Sequence, residues 1–298
     1  MRSSRPLLAV VCLVFIALAG CSAPGSLAMD PVDDGELGDH ASRSLPATEA
    51  ESDPDRELRL IRGAIRNGSA TIDSRSAPVE AGLPFAFRGA YYNLSWSVAD
   101  RQPATHATIE IDYNATNSSV ETITYAELPS VDRRALDTLL PPRDDRRTEG
   151  YDFGTGVTYS ESEREQSVLL SGHQYDAVVY RGTAYRVRVS DTREITVNTY
   201  RYTSTLVAAN STAYADQLRQ QYRFTLDGLS AEERRIVTEA LSDGSYYAES
   251  EDDAFRSVLE RFQRHEAVQE NDYHGEWLLR YNGTDYWAEL RYGGFDGE

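Results

Sequence analysis

The sequence contains no lysine, so all 30 of its basic residues are arginines. Its only two cysteines are Cys12 and Cys21, which both lie near the start of the chain. These absences exclude Schiff-base chemistry, a phosphate-loop lysine and a serine–lysine pair, and beyond residue 21 they exclude thiol catalysis. They also exclude a disulfide anywhere after Cys21. Several common classes of covalent catalysis are therefore closed to this chain.

Positive charge is also scarce. The 30 basic residues face 48 acidic ones, which gives a formal net charge of −18. Such acidity disfavours nucleic acids and anionic lipid surfaces as partners. A folded protein can carry this charge in molar salt, because the repulsion between its acidic groups is screened there within about 3 Å. We therefore expect a halophilic protein without a nucleic-acid partner.

The start of the chain has the charge–apolar–small pattern of a secretory signal. Two arginines precede an apolar run from Leu7 to Leu18, which is too short for a membrane span of about 20 residues. The run ends in the lipobox Leu-Ala-Gly-Cys, whose last residue is Cys21. We predict that residues 1–20 are a signal peptide and that Cys21 carries a lipid. An ordinary signal with a chance cysteine near its cleavage point is the alternative.

The following segment, residues 21–53, is rich in Ser, Ala, Pro, Gly, Asp and Glu and has no apolar periodicity. This composition predicts a disordered acidic tether. Within it, residues 30–35 resemble a calcium loop only weakly, because the spacing of the ligands fails. We expect a solvated linker there.

Six of the eight asparagines begin an Asn-x-Ser/Thr sequon, which predicts possible glycosylation. They are Asn67, Asn93, Asn114, Asn117, Asn210 and Asn282. Turn chemistry is the alternative at two of them, since Asn67-Gly68 and Asn282-Gly283 are also good turn pairs.

The rest of the chain repeats itself at an offset of 101 residues. Residues 128–136 match residues 229–237, and residues 180–185 match residues 281–286. A shorter copy comes first, with a helical segment near Arg59–Ser69 and the aromatic-x-Gly-x-x-Tyr pattern at residues 87–92. Each copy has the signs of one helix followed by a β-hairpin whose glycine adopts a positive φ.

These repeats predict an α+β fold of three related helix-plus-β-hairpin modules with antiparallel sheets and helices on one side. The predicted boundaries are 54–106 for a short first module, 107–205 for the second and 206–298 for the third. In the third module, Ser230 and Glu233 predict a capping box, and Asp243-Gly244 predicts the end of that helix. A further helix is expected over residues 252–265.

The pattern Leu-Ser-x-x-Glu-Arg…Ala-Leu-x-Asp-Gly, followed by Tyr-x-Gly-x-x-Tyr, resembles a repeat of uncharacterised secreted or lipid-anchored proteins of halophilic archaea. The resemblance covers residues 54–298, and the last copy fits best. The middle copy departs from it at the helix end, where prolines replace Asp-Gly. The resemblance implies a fold and a saline habitat, and it implies no activity.

Two histidine pairs and one acidic run are the candidates for metal binding. His265 with Glu266 and His274 with Asp272 could meet around a metal, but a helix-end histidine and a loop residue are the simpler interpretation. The run Glu249–Asp253 could bind calcium or could favour the start of the next helix. We predict no metal and no cofactor.

Aromatic residues near the last hairpin are the candidates for a binding surface. Trp277, Tyr286 and Trp287 would form a possible binding patch if they were exposed together. The recurring tyrosines Tyr92, Tyr185 and Tyr286 are more typical of core positions on strands.

The sequence thus predicts a lipid-anchored protein on the extracellular face of the cell membrane, held through Cys21. We expect a non-enzymatic structural or binding module, whose partner is an unknown envelope protein or a small ligand. A solute-binding lipoprotein of a transporter is the alternative, although such proteins usually have two doubly wound α/β lobes. A hydrolase that uses carboxylates has no specific motif in its favour.

Overall fold

The structure is a computed structural model and describes residues 24–46, 56–115, 120–140, 150–170, 175–249 and 251–293. Its strands are β1 (Gly25–Pro31), β2 (Arg43–Ser44), β3 (Ser69–Ser74), β4 (Phe85–Phe87), β5 (Ala90–Ala115), β6 (Thr122–Thr124), β7 (Phe153–Ser160), β8 (Ala177–Tyr180), β9 (Thr183–Ala208), β10 (Phe224–Thr225), β11 (Tyr246–Ala248), β12 (Gln269–Asn271), β13 (His274–Tyr281) and β14 (Thr284–Arg291). Its helices are α1 (Asp34–His40), α2 (Arg56–Asn67), α3 (Ser130–Leu136), α4 (Glu161–Gln166), α5 (Ser211–Tyr222), α6 (Ala231–Asp243) and α7 (Asp253–Gln263). The class is α+β with largely antiparallel sheets, as predicted.

The described residues divide into two compact units. The first contains residues 1–44, 89–91 and 208–298, and the second contains residues 45–88 and 92–207, wherever these are described. The division into three related modules at 54–106, 107–205 and 206–298 stays a prediction.

The first unit is built on a sheet of strand order β10-β13-β14-β1-β11, in which β12 also pairs with β13. Helices α6 and α7 cover one face through a core that includes Phe255, Phe262 and Trp277. Helix α5 contacts β13, and Trp287, whose side chain points to the opposite face, stacks on His40 of α1.

Helices therefore cover both faces of this sheet, and the expectation that they lie on one side is wrong for the first unit. The reason lies in β13, where the consecutive residues Trp277, Leu278 and Leu279 are all buried. Successive side chains of a strand point to opposite faces, so a continuous apolar run needs cover on both.

The predicted tether of residues 21–53 is wrong for much of its length. Strand β1 lies between β14 and β11 and pairs antiparallel with both, and its Leu27 and Met29 are buried. Helix α1 follows with a complete capping box of Asp33 and Glu36. The acidic pattern near residue 33 is thus a helix cap. Composition does not predict this strand, because two apolar side chains are enough to anchor a strand that pairs on both sides with strands of a sheet.

The second unit is built on the two 26-residue strands β5 and β9, which are neighbours in its sheet. Ser95 Oγ lies 3.0 Å from Thr203 Oγ1, and Arg188 Nε lies 2.6 Å from Glu110 Oε2, which fits a single antiparallel register. Helix α2 packs near one half of this ribbon in a core with Tyr202, and α3 packs near the other half in a core with Tyr113. One core thus lies towards each end of the ribbon.

The three predicted hairpin turns are confirmed. Their central residues are Arg88-Gly89, Arg181-Gly182 and Asn282-Gly283, with φ values of 53° and 79°, 50° and 84°, and 49° and 87°. Positive φ at both positions is the type I′ geometry, which matches the twist of the flanking strands.

The local signals of α6 are confirmed as well. Ser230 Oγ accepts from the Glu233 amide at 3.1 Å, and Glu233 Oε2 accepts from the Ser230 amide at 2.7 Å. The helix ends at Asp243, and Gly244 caps it with a φ of 83°. None of the helices in the described residues combines the length and the apolar character that crossing a bilayer requires.

Candidate functional site

The predicted aromatic patch is wrong, because two of its members are core residues. Trp277 is 0% and Trp287 is 1% exposed, and Tyr286 is partly buried against the α6–α7 core. The Trp277 ring meets Phe262 edge-on at 5.6 Å, and its Nε1 donates to the His265 carbonyl at 3.2 Å. Sequence alone could not separate these rings from a surface patch, since burial on the second face depends on α1 and α5.

The recurring tyrosines follow the core interpretation. Tyr185 is 9% exposed and lies in the core around α3, and Tyr92 packs against the core around α2. These rings supply apolar area to the sheets.

The described sequon asparagines are all exposed: Asn67, Asn93, Asn114, Asn210 and Asn282. Asn117 lies outside the described residues. Asn210 also caps α5, since its Oδ1 accepts from the Ala213 amide at 2.8 Å, while Asn282 occupies a hairpin turn. At both positions the asparagine has a structural role, as a cap or in a turn, and its side chain is also exposed.

Cys21 also lies outside the described residues. The nearest described element is β1, which begins at Gly25. Cys21, where we predict a lipid, is thus separated in sequence from a central strand of the first unit by three residues.

The candidate metal pairs have other roles in the described residues. The His265 ring stacks on Phe224 at 4.0 Å, and His274 Nε2 lies 3.8 Å from Glu276 Oε1. Asp252 of the acidic run caps α7 by accepting from the Phe255 amide at 2.9 Å. Within the described ranges, no group of three or more His, Cys, Asp or Glu side chains is placed to hold a metal ion.

In the first unit a cluster of three arginines surrounds one carboxylate, and sequence analysis missed it. Asp285, on β14, accepts from Arg280 Nε at 2.8 Å, from Arg219 Nε at 2.9 Å and from Arg223 Nη1 at 3.2 Å. Arg219 also donates to Asp34 at the start of α1 at 2.7 Å. The cluster thus ties α5 and α1 to the sheet.

The electrostatics of this cluster favour the ionised carboxylate. Burial would raise the pKa of Asp285, but the hydrogen bonds from Arg280, Arg219 and Arg223 outweigh it, and the pKa lies below its usual range. The Asp285 side chain is 8% exposed, whereas that of Arg280 is 44% exposed. The cluster is a fixed structural ion network, because every guanidinium in it already has a carboxylate partner.

A second ion network joins α6 to α7. The cap residue Glu233 accepts from Arg261 Nε and from Ser257 Oγ, both at 2.7 Å. Burial would raise the pKa of Glu233, but these bonds and the Ser230 amide outweigh it and lower the pKa from 4.5 to about 2. One carboxylate thus caps its own helix and holds the next.

The second unit contains a cleft of about 550 Å³. The Arg188 guanidinium lies 4.0 Å above the Tyr151 ring and forms an ion pair with Glu110 at 2.6 Å. Asp176 and Leu169 add a carboxylate and an apolar wall. A site with an aromatic face, a cation and a carboxylate suits a small polar ligand.

A buried carboxylate holds the segment beside this cleft. Asp132 of α3 is 0% exposed, and it accepts from Ser167 Oγ at 2.6 Å and from the Val168 amide at 2.8 Å. Burial raises its pKa, and these bonds partly offset that effect. Asp132 thereby fixes the turn that carries Leu169 and Leu170 into the cleft.

No family model, curated protein or solved structure matches the chain.

Proposed function

We propose that this chain is a lipid-anchored protein on the extracellular face of a membrane, a non-enzymatic module that binds an envelope protein or a small ligand. The observation that carries the proposal is the lipobox that ends at Cys21, preceded by a short charged and apolar run. A two-chain lipid on that cysteine would hold the protein durably, where one chain binds only marginally.

Two further observations support display outside the cell. The five described sequon asparagines are exposed, so an external glycosylation machinery would meet their amide nitrogens. The net charge of −18 is carried without a single lysine, which suits a surface bathed in concentrated salt.

The experiment is a comparison of native protein with the Cys21→Ser variant. We expect the native protein to sediment with membranes and to begin, by mass spectrometry, at a lipid-modified Cys21 with hexose on at least one sequon peptide. The variant should appear in the medium or remain unprocessed. Unchanged membrane retention of Cys21→Ser would overturn the lipid anchor, and bare peptides at all six sequons would remove glycosylation from the proposal.

The second candidate is a solute-binding lipoprotein, which the cleft beside Arg188 and Tyr151 favours. Native mass spectrometry of the protein purified in high salt tests it. A small molecule that is retained by the native chain and lost in Tyr151→Ala would support this candidate. Retention that is equal in both proteins would exclude the cleft as the binding site.

A further inference from the structure

The first unit has a definite end at which the chain enters its sheet. At the start of β1, Gly25 lies opposite Ala248, and Ser26 lies between Tyr247 of β11 and Arg291 of β14. His274 of β13 lies opposite Arg291 in the same row. This row, together with the β12–β13 turn beyond it, is here called the entry end of the sheet.

The two most exposed large apolar side chains in the described residues lie at the entry end. Tyr247 is 68% and Tyr273 is 65% exposed. Tyr273 occupies the β12–β13 turn, and its carbonyl accepts from the Tyr292 amide at 3.0 Å, which extends the β13–β14 ladder. Tyrosine has an apolar ring and a polar tip, and it is enriched where lipid headgroups meet water.

The distance from the lipid to the entry end is short. Three residues separate Cys21 from Gly25, so even a fully extended chain places their Cα atoms within about 14 Å of each other. A flexible tether of residues 22–53 would instead have allowed a separation of roughly 30 Å. The headgroup layer of one leaflet is roughly 5–8 Å thick. A lipid on Cys21 would therefore keep the entry end close enough to contact this layer.

We propose that the entry end rests on the membrane that holds the Cys21 lipid, with Tyr247 and Tyr273 inserted among the headgroups. This inference rests on the proposed lipidation of Cys21, and it goes further by naming the surface and its occupant. The lipid and the two rings then fix the orientation of the first unit, which a single flexible attachment would leave free.

The charges at the entry end show which force would hold it there. Arg291 and His274 are accompanied by Asp272 and Glu249, so the surface offers no net positive charge to an anionic headgroup. In molar salt these charges act only within about 3 Å. The contact therefore depends on the aromatic rings, and we expect it to form on zwitterionic lipid, which has no net charge.

The experiment uses the lipidated full chain in phosphatidylcholine vesicles at molar KCl. The only cysteine of the mature chain is consumed by the lipid, so single nitroxide labels are placed by Asp272→Cys at the entry end and by Thr284→Cys at the opposite end, where the substitution also changes the Asn282 sequon. The two positions are about 25 Å apart along β13, by the rise of a strand. Collision of each label with a water-soluble nickel chelate is then measured.

We expect the label at position 272 to collide with the chelate roughly three- to tenfold less often than the label at position 284, because the headgroup layer excludes the chelate. Tyr247→Ser and Tyr273→Ser should each reduce this difference. Tyr247→Trp and Tyr273→Trp are the matched controls and should preserve it, since tryptophan favours the same layer.

The outcomes separate this inference from the proposed function. If the protein does not float with the vesicles and Cys21 is bare by mass spectrometry, the lipid anchor itself fails. If the lipidated protein floats but both labels collide equally with the chelate, the anchor stands and the oriented contact is wrong. A difference that survives both serine substitutions would also overturn the role assigned to the tyrosines.

Discussion

Replacing Asp285 by asparagine removes the carboxylate that forms ion pairs with Arg223 and Arg280, and it removes one of the carboxylates that hold Arg219. The variant keeps the shape of the side chain, so packing changes little. Asparagine has one acceptor oxygen where the carboxylate has two, so at least one of the three hydrogen bonds is lost and the others lose their ionised acceptor. Each bond to the carboxylate is worth about 1.5–3 kcal/mol. The loss is smaller than their sum because Arg223 and Arg280 are 30% and 44% exposed and can be rehydrated.

We therefore expect Asp285→Asn to lower the free energy of unfolding of the first unit by about 3 kcal/mol. Urea unfolding at constant molar KCl measures this loss, and the fluorescence of Trp277 and Trp287, both buried in that unit, reports the transition. Arg280→Gln is the matched control, because its half-exposed side chain should cost no more than about 1 kcal/mol.

The same substitution changes the response to acid. The pKa of Asp285 is lower in the folded protein than in the unfolded chain, so its contribution is complete above the unfolded value of 3.8 and disappears as the pH falls through the folded value. Asp285→Asn should flatten this part of the acid unfolding curve. A loss below about 1 kcal/mol together with an unchanged acid curve would refute the argument, since that is the value of an ordinary surface pair.

Three further predictions concern the acid dependence caused by Glu233, the packing at Gly275 and the response of the full chain to salt. The pKa of Glu233 is lowered from 4.5 to about 2 on folding, so its stabilisation is at most on the order of 3 kcal/mol. This stabilisation is complete above pH 4.5 and is lost as the pH falls through the folded pKa. Glu233→Gln should remove this acid dependence from the unfolding curve of the first unit, and a curve identical to that of the native protein would contradict the network. Gly275→Ala places a Cβ against the ring of Trp277 and should destabilise the first unit by about 2 kcal/mol, as seen in urea, whereas an unchanged midpoint would show that the ring moves aside freely. The melting temperature of the full chain should rise steeply from dilute buffer to molar KCl because its net charge is −18, and a flat salt response would remove the halophilic interpretation.

The candidate sites differ in how far sequence could find them. Cys21 and the six sequons are local patterns, so the sequence names them, while the exposure of Asn210 and Asn282 needed the structure. The Asp285 cluster and the cleft were not predictable, because their members come from distant parts of the chain. Asp34 and Arg219, for example, are 185 residues apart and meet at 2.7 Å.

The sequence by itself determined the features that depend on a few neighbouring residues. The turns at Arg88-Gly89, Arg181-Gly182 and Asn282-Gly283 follow from the tolerance of glycine for positive φ, and the start of α6 follows from the reach of Ser230 to the amide three residues on. The tertiary structure decided which faces are covered.

The pairing of β1 with β11 and β14 makes a sparsely apolar segment a central strand, and the ring of His40 on α1 stacks on Trp287. Burial depends on surfaces that meet across the fold. The sequence of residues 25–31 does not indicate which strands pair with them. For this reason residues 25–31, predicted as part of a tether, proved to belong to the core of the first unit.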